Sequence, residues 1–220
     1  MRRRVYYTLM ASLPPLPRFD QAERLPISRE RLQARRRMLE PEDESLLEAS
    51  VAFLAWEREP AHRTDQDRAQ ELKRLGELSG HPGLWSLLEF PVNQRTVLAA
   101  LRRRYRGRPA PVSGEPWGAG PLVRHLEKHW DDPDFKLRAL YPWIPEARGH
   151  LESGEALALE RLRLNLLWDR LDRSPYAHDF GLEAFLLYFL KWDMVQRWLS
   201  YSGQGAAARF EELVMEVTGE

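Results

Sequence analysis

The sequence predicts an all-α protein, a multi-helix bundle in two helical lobes, and three features of the chain lead there. Prolines recur where first-turn prolines stand, at Pro41, Pro82, Pro91 and Pro142. Apolar residues then follow at the 3.6-residue period of a helix. Strand-like stretches are nearly absent; Val5–Ser12, rich in β-branched and aromatic residues, reads as one short extended segment at the N-terminus.

Taken in order, the LPPLP run at 13–17 imposes polyproline or turn geometry after that segment. Pro41 opens a helix whose first turn carries Glu42, Asp43 and Glu44, acids that suit the positive helix N-terminus. Leu46, Leu47, Val51, Leu54 and Ala55 continue it at helical spacing to about Arg58. Thr64, with Asp67 three residues on, reads as the cap of a polar helix toward Leu78. Pro82 and Pro91 each read as the start of a further helix. In the second of these Val97, Leu98, Leu101 and Tyr105 form one stripe, with Asn93 on the same face. Arg102, Arg103, Arg104 and Arg106 end it before Gly107, cations matched to the negative end of the helix.

The segment 107–121, GRPAPVSGEPWGAGP, is dense in Gly and Pro and reads as a linker between a lobe at 1–106 and a lobe at 122–220. Beyond it, helices are expected at Leu122–Trp130, after Asp132-Pro133, from Pro142, and from a Ser153 cap to Arg173. The Ser153–Arg173 helix carries the apolar positions Leu157, Leu164, Leu167, Trp168 and Leu171. Asp179–Tyr201, about 34 Å long at 1.5 Å per residue, is apolar on every side from Phe185 to Leu190 and reads as the centre of the second lobe. A last amphipathic helix carries Phe210, Leu213, Val214 and Val217.

Composition bounds the function. The 220 residues contain no cysteine, which removes disulfides, thiolate metal sites and a cysteine nucleophile, and suits a reducing compartment. Lys+Arg and Asp+Glu both number 33, so no global field draws the chain to nucleic acid or to an anionic membrane. The basic start and short apolar stretch at the N-terminus read poorly as an export signal, because Tyr6, Tyr7, Thr8, Pro14 and Pro15 interrupt it. The longest unbroken apolar run, Ala184–Leu190, falls far short of the ~20 residues that span a bilayer, so the chain reads as a soluble cytoplasmic protein. Lysines are few (Lys73, Lys128, Lys136 and Lys191), and a surface dominated by arginine favours two-pronged contacts with the carboxylates of a protein partner.

No phosphate loop, nucleophile elbow or dinucleotide-binding glycine pattern occurs. His125 and His129 share a helix face at metal-ligand spacing, yet H-L-E-K-H puts the glutamate where a metalloprotease does not have it, and no further ligand is near. Neither a catalytic residue, a cofactor nor a metal is therefore expected. Paired acids such as Asp131/Asp132 and Glu211/Glu212 are helical neighbours that do not face each other. The protein-interface candidates are Arg102, Arg103 and Arg106 as docking cations, Asn93 as a lock between a helix and a neighbouring backbone, and Trp117 as an anchor in the linker. Trp143, Trp168, Trp192 and Trp198 fall where core or interface anchors sit.

Three segments resemble a bacterial family encoded beside V-type ATPase subunits: YYTLMASLPPL near the start, FPVNQRTVLAALRRRYRG at 90–107, and the stretch from 181 to 214 beginning GLEAFLLYFLKW. The second is also similar to a helix of the funnel-shaped linker of V/A-type ATPases, the part that sits on the membrane rotor ring and takes the central stalk in its socket. Asn93 and Arg102 stand at the positions that match. The resemblance implies a helical, non-catalytic linker between the central stalk and the membrane rotor ring, peripheral to the membrane and touching it only through the complex. A soluble assembly or regulatory factor of the same ATPase, and an unrelated helical protein-binding scaffold, stand as alternatives.

Overall fold

A computed structural model describes residues 4–54, 73, 82–112, 115 and 117–218, with side chains from 83 on the helix that begins at Pro82, to 51 on the helix that begins at Pro41, and to 201 on the last helix. Among these residues the chain is all-helical, without a strand. Eight α-helices follow in order: α1 Tyr7–Ala11, α2 Arg29–Arg36, α3 Pro41–Leu54, α4 Pro82–Tyr105, α5 Val123–Lys128, α6 Ile144–Glu152, α7 Ala156–Asp172 and α8 Leu182–Thr218, with a 3-10 turn at Phe19–Gln21. The helix expected after Thr64 lies outside the described residues.

Val5–Ser12 is not extended. A lone strand has no ladder partner for its backbone, whereas a helical turn satisfies its own groups. Here α1 forms and Ser12 closes it, its hydroxyl donating to the Leu9 carbonyl at 2.7 Å. Pro41 starts α3 as its composition predicts, and Ser28 caps α2 by accepting from the Arg31 N–H at 3.3 Å.

Pro82 begins α4 as expected, but Pro91 begins no helix of its own and lies inside α4. An interior proline costs about 3 kcal/mol in a helix. Around it Leu84, Leu87, Leu88, Val92 and Val97 are all buried, each contributing about 1.5–3 kcal/mol, so packing outweighs the missing hydrogen bond. Similarly, the helix expected from Asp179 and the last amphipathic helix are one, α8, about 55 Å long at 1.5 Å per residue. Phe185–Leu190 is buried apart from half-buried Tyr188, as an all-round apolar helix requires.

Asp132-Pro133 opens no helix. The Asp132 carboxylate instead accepts the N–H groups of Asp134 and Lys136, both at 2.9 Å, and Phe135 and Lys136 take left-handed φ of 52° and 55°. Ser153 likewise ends α6 instead of starting α7, its N–H bonded to the Gly149 carbonyl, and Glu155 precedes α7. Leu157, expected in the buried stripe of α7, is exposed, while Leu164, Trp168 and Leu171 are buried.

The chain divides elsewhere than its Gly/Pro content predicts. One compact unit is Ser45–Ser174; the other joins Arg2–Glu44 to Pro175–Glu220. The segment 107–121 is therefore no linker between lobes at 1–106 and 122–220 but part of the first unit, because Trp117 and Ala119 within it are buried. That unit packs α4 against α6 and α7 around Leu98, Leu101, Trp130, Phe135, Trp143 and Ile144. In the second unit the N-terminal segment lies along α8. The Tyr188 hydroxyl donates to the Pro14 carbonyl at 2.9 Å, the Trp192 indole N–H donates to the Ile27 carbonyl at 2.8 Å, and the Phe19 ring meets Trp198 edge-on.

Candidate protein-docking surface

Helix α4 positions every candidate side chain but Trp117. Its C-terminal end is closed by a Schellman motif: the Gly107 N–H bonds to the Arg104 carbonyl at 2.8 Å and the Arg108 N–H to the Arg103 carbonyl at 3.0 Å. Gly107 takes φ 65°, open to glycine at little cost. This sharp stop fans five arginines, Arg102, Arg103, Arg104, Arg106 and Arg108, around one helix end.

Two of them are committed within the unit. Arg103 grips Glu115 with both prongs, at 2.5 and 3.1 Å, and donates from Nε to the Pro109 carbonyl at 2.8 Å. The Arg103 hydrogen bond is the main reason that the Glu115 carboxyl titrates below its ordinary range. Arg104 donates to the Asp132 carbonyl at 2.7 Å and lies over the Phe135 ring, 5.0 Å from its centre. Arg102, Arg106 and Arg108 are exposed, as is Tyr105 at 58%.

Asn93 and Trp117 are not surface anchors. Asn93 is 5% exposed, with its Oδ1 buried and without a hydrogen-bond partner; the amide stands beside the half-buried Tyr141 hydroxyl. Burial pushes that hydroxyl's pKa up, and the hydrogen bond with Asn93 offsets a part of the rise. Trp117 is 8% exposed, donates its indole N–H to Glu127 at 2.9 Å and meets the Trp130 ring edge-on. A Gly/Pro-rich segment with one large aromatic folds back to bury it, since leaving an indole in water forgoes the largest apolar area that the segment has.

The lock expected of Asn93 belongs to its neighbours. Thr96 donates its hydroxyl to the Ala119 carbonyl at 2.6 Å and accepts the Ala119 N–H at 3.1 Å. Gln94 donates to the Arg163 carbonyl of α7 at 3.1 Å. Both are nearly fully buried polar residues that the reading of this helix by its apolar stripe and Asn93 passed over. The signal was there in V-N-Q-R-T-V, four polar side chains flanked by valines.

His125 and His129 do meet, their rings 4.6 Å apart. His125 Nε2 lies 2.9 Å from the Phe135 carbonyl, so this nitrogen carries a proton and donates. Partial desolvation first, then His125, hold the His129 pKa below its ordinary value. No group of three or more possible metal ligands occurs among the described residues. No family model, curated protein or solved structure matches the chain.

Proposed function

We propose that the chain is a non-catalytic V-type ATPase-associated protein, a linker that joins the central stalk to the membrane rotor ring and docks by protein contacts. The observation that carries this reading is the exposed face of Arg102, Tyr105 and Arg106 on α4. It lies in the segment, 90–107, that resembles the ATPase linker. Rigid packed helices suit an element that transmits torque, and the described helices are held by buried cores in each unit. No described helix is long and apolar enough to cross a membrane, which fits attachment through partner subunits at the cytoplasmic face.

The test is an affinity pull-down of the tagged chain from its host's detergent-solubilised membranes, with the stoichiometry of the recovered subunits measured. The linker reading expects catalytic, stalk and ring subunits together with one copy of this chain. Recovery only with incomplete subcomplexes turns the reading to an assembly factor. Recovery with no ATPase subunit overturns both and leaves an unrelated scaffold.

A further inference from the structure

At the C-terminal end of α4, three arginines have no carboxylate partner among the described residues. Arg102 and Arg106 are four residues apart, on one helix face with Cβ atoms about 5–6 Å apart. Tyr105 is exposed beside them, and Arg108 follows just past Gly107. The nearby acids are already taken: Glu115 by both prongs of Arg103, and Glu160 by both prongs of Arg163 at 2.8 and 2.5 Å. Arg102 is exposed to solvent by area, yet partial desolvation lowers its pKa; repulsion from Arg163 and then Arg106 adds to the effect, and attraction from Glu160 opposes it. Like charges therefore gather at this helix end, offset only in part by Glu160, whose carboxylate is held by Arg163.

We infer that this face receives a carboxylate-bearing segment of a partner protein, with acidic side chains on Arg102 and Arg106 and an apolar residue against the Tyr105 ring. The inference rests on the docking reading above and names the chemistry of the partner. Planar, two-pronged guanidinium groups match carboxylates, and a tyrosine ring supplies contact area at low entropic cost. A polyanionic nucleic acid is the poorer occupant. The α4 pair spans a single helical turn, and the chain's 33 basic and 33 acidic residues leave no wide positive field for a phosphate backbone to follow.

The experiment uses the full chain and three labelled probes. One is a synthetic helical peptide with glutamates four residues apart around a single leucine, the second its glutamine counterpart, the third an oligothymidylate of equal length. The glutamate peptide is expected to bind at low salt and weaken as salt rises, with the glutamine peptide at least about tenfold weaker. Arg102→Glu with Arg106→Glu should cost at least about tenfold more, and Arg102→Ala with Arg106→Ala should lose binding in the same direction. Arg31→Glu, at an exposed position on α2, should leave it unchanged, and circular dichroism verifies that every variant is folded. Equal binding of the two peptides, undiminished binding by both double variants, or tighter binding of the oligothymidylate would each overturn the inference. In the pull-down, ATPase subunits recovered equally by wild type and double variant would retain the linker reading and sink this one. If wild type recovers none, the linker reading falls and the peptide result alone decides the partner chemistry.

Discussion

The Thr96 hydroxyl serves both backbone groups of Ala119, 23 residues away in a segment with little regular structure of its own. Thr96→Val keeps the shape and removes the partner of a buried carbonyl and a buried N–H. It should cost about 1–3 kcal/mol, read as a lower denaturant midpoint with unchanged slope. Nearby, Gly120 has φ 86°, and a Cβ there would stand 2.9 Å from Val92 Cγ1, so the close approach of this segment to α4 needs a glycine. In the other unit the buried Asp43 carboxylate accepts hydrogen bonds from the Tyr6 hydroxyl and, at 3.3 Å, from Arg4. Burial first, then that bond to Asp43, push the Tyr6 pKa from 10.0 up to about 12. Because the folded value is the higher one, the stabilising contribution is complete below pH 10 and is lost as pH climbs toward 12. Tyr6→Phe should lower stability at neutral pH and lose less of what remains over that alkaline window. Denaturant midpoints of both proteins across the pH series check this; parallel loss would show that Tyr6 does not carry the effect.

Elements here begin and end by local chemistry that tertiary packing then edits. Ser28 caps α2 in the ordinary way, a bond of a kind that contributes about 1 kcal/mol. The turn after α5 goes the other way: it holds two adjacent non-glycine residues, Phe135 and Lys136, at positive φ. Such a conformation costs roughly 1–2 kcal/mol per residue. It persists because the Asp132 carboxylate takes two N–H groups, Arg104 and Arg148 hold the Pro133 carbonyl, and Phe135 is fully buried. Lys136 is exposed, so Lys136→Gly, which relieves the positive φ, should raise thermal stability by up to about 1 kcal/mol. A fall in melting temperature would mean that the lysine side chain contributes more than its backbone costs.

At the scale of the molecule, the first unit is continuous in sequence and the second joins the two ends of the chain. A fragment from residue 40 to 174, which keeps α3 whole, carries all of the buried cluster around Leu98, Trp130 and Ile144. It should fold alone with a cooperative transition. Deleting the first 28 residues instead removes the partners of Trp192, Tyr188 and Trp198 from α8. That truncation should expose α8 and drive aggregation or a non-cooperative melt, measured by light scattering and circular dichroism. Equal cooperativity in the truncated chain would show that α8 does not depend on the N-terminal segment.

Helical class, the start of α3 at Pro41, the stop of α4 at Gly107 and the apolar girdle of α8 were all legible in the sequence, because each depends on neighbours within a few residues. Of the candidate surface, the exposed Arg102 and Arg106 were legible from their place at a charged helix end. Tertiary structure alone decided the rest. It ran α4 through Pro91, since five buried apolar side chains outweigh one lost hydrogen bond. It laid residues 118–120 against α4, buried Trp117 and Asn93, and gave the lock to Thr96, whose partner is 23 residues distant. It also turned Arg103 and Arg104 inward and left Arg102 and Arg106 exposed. A helix end determines that arginines gather there; which of them stay free depends on carboxylates and carbonyls that only the folded chain brings near.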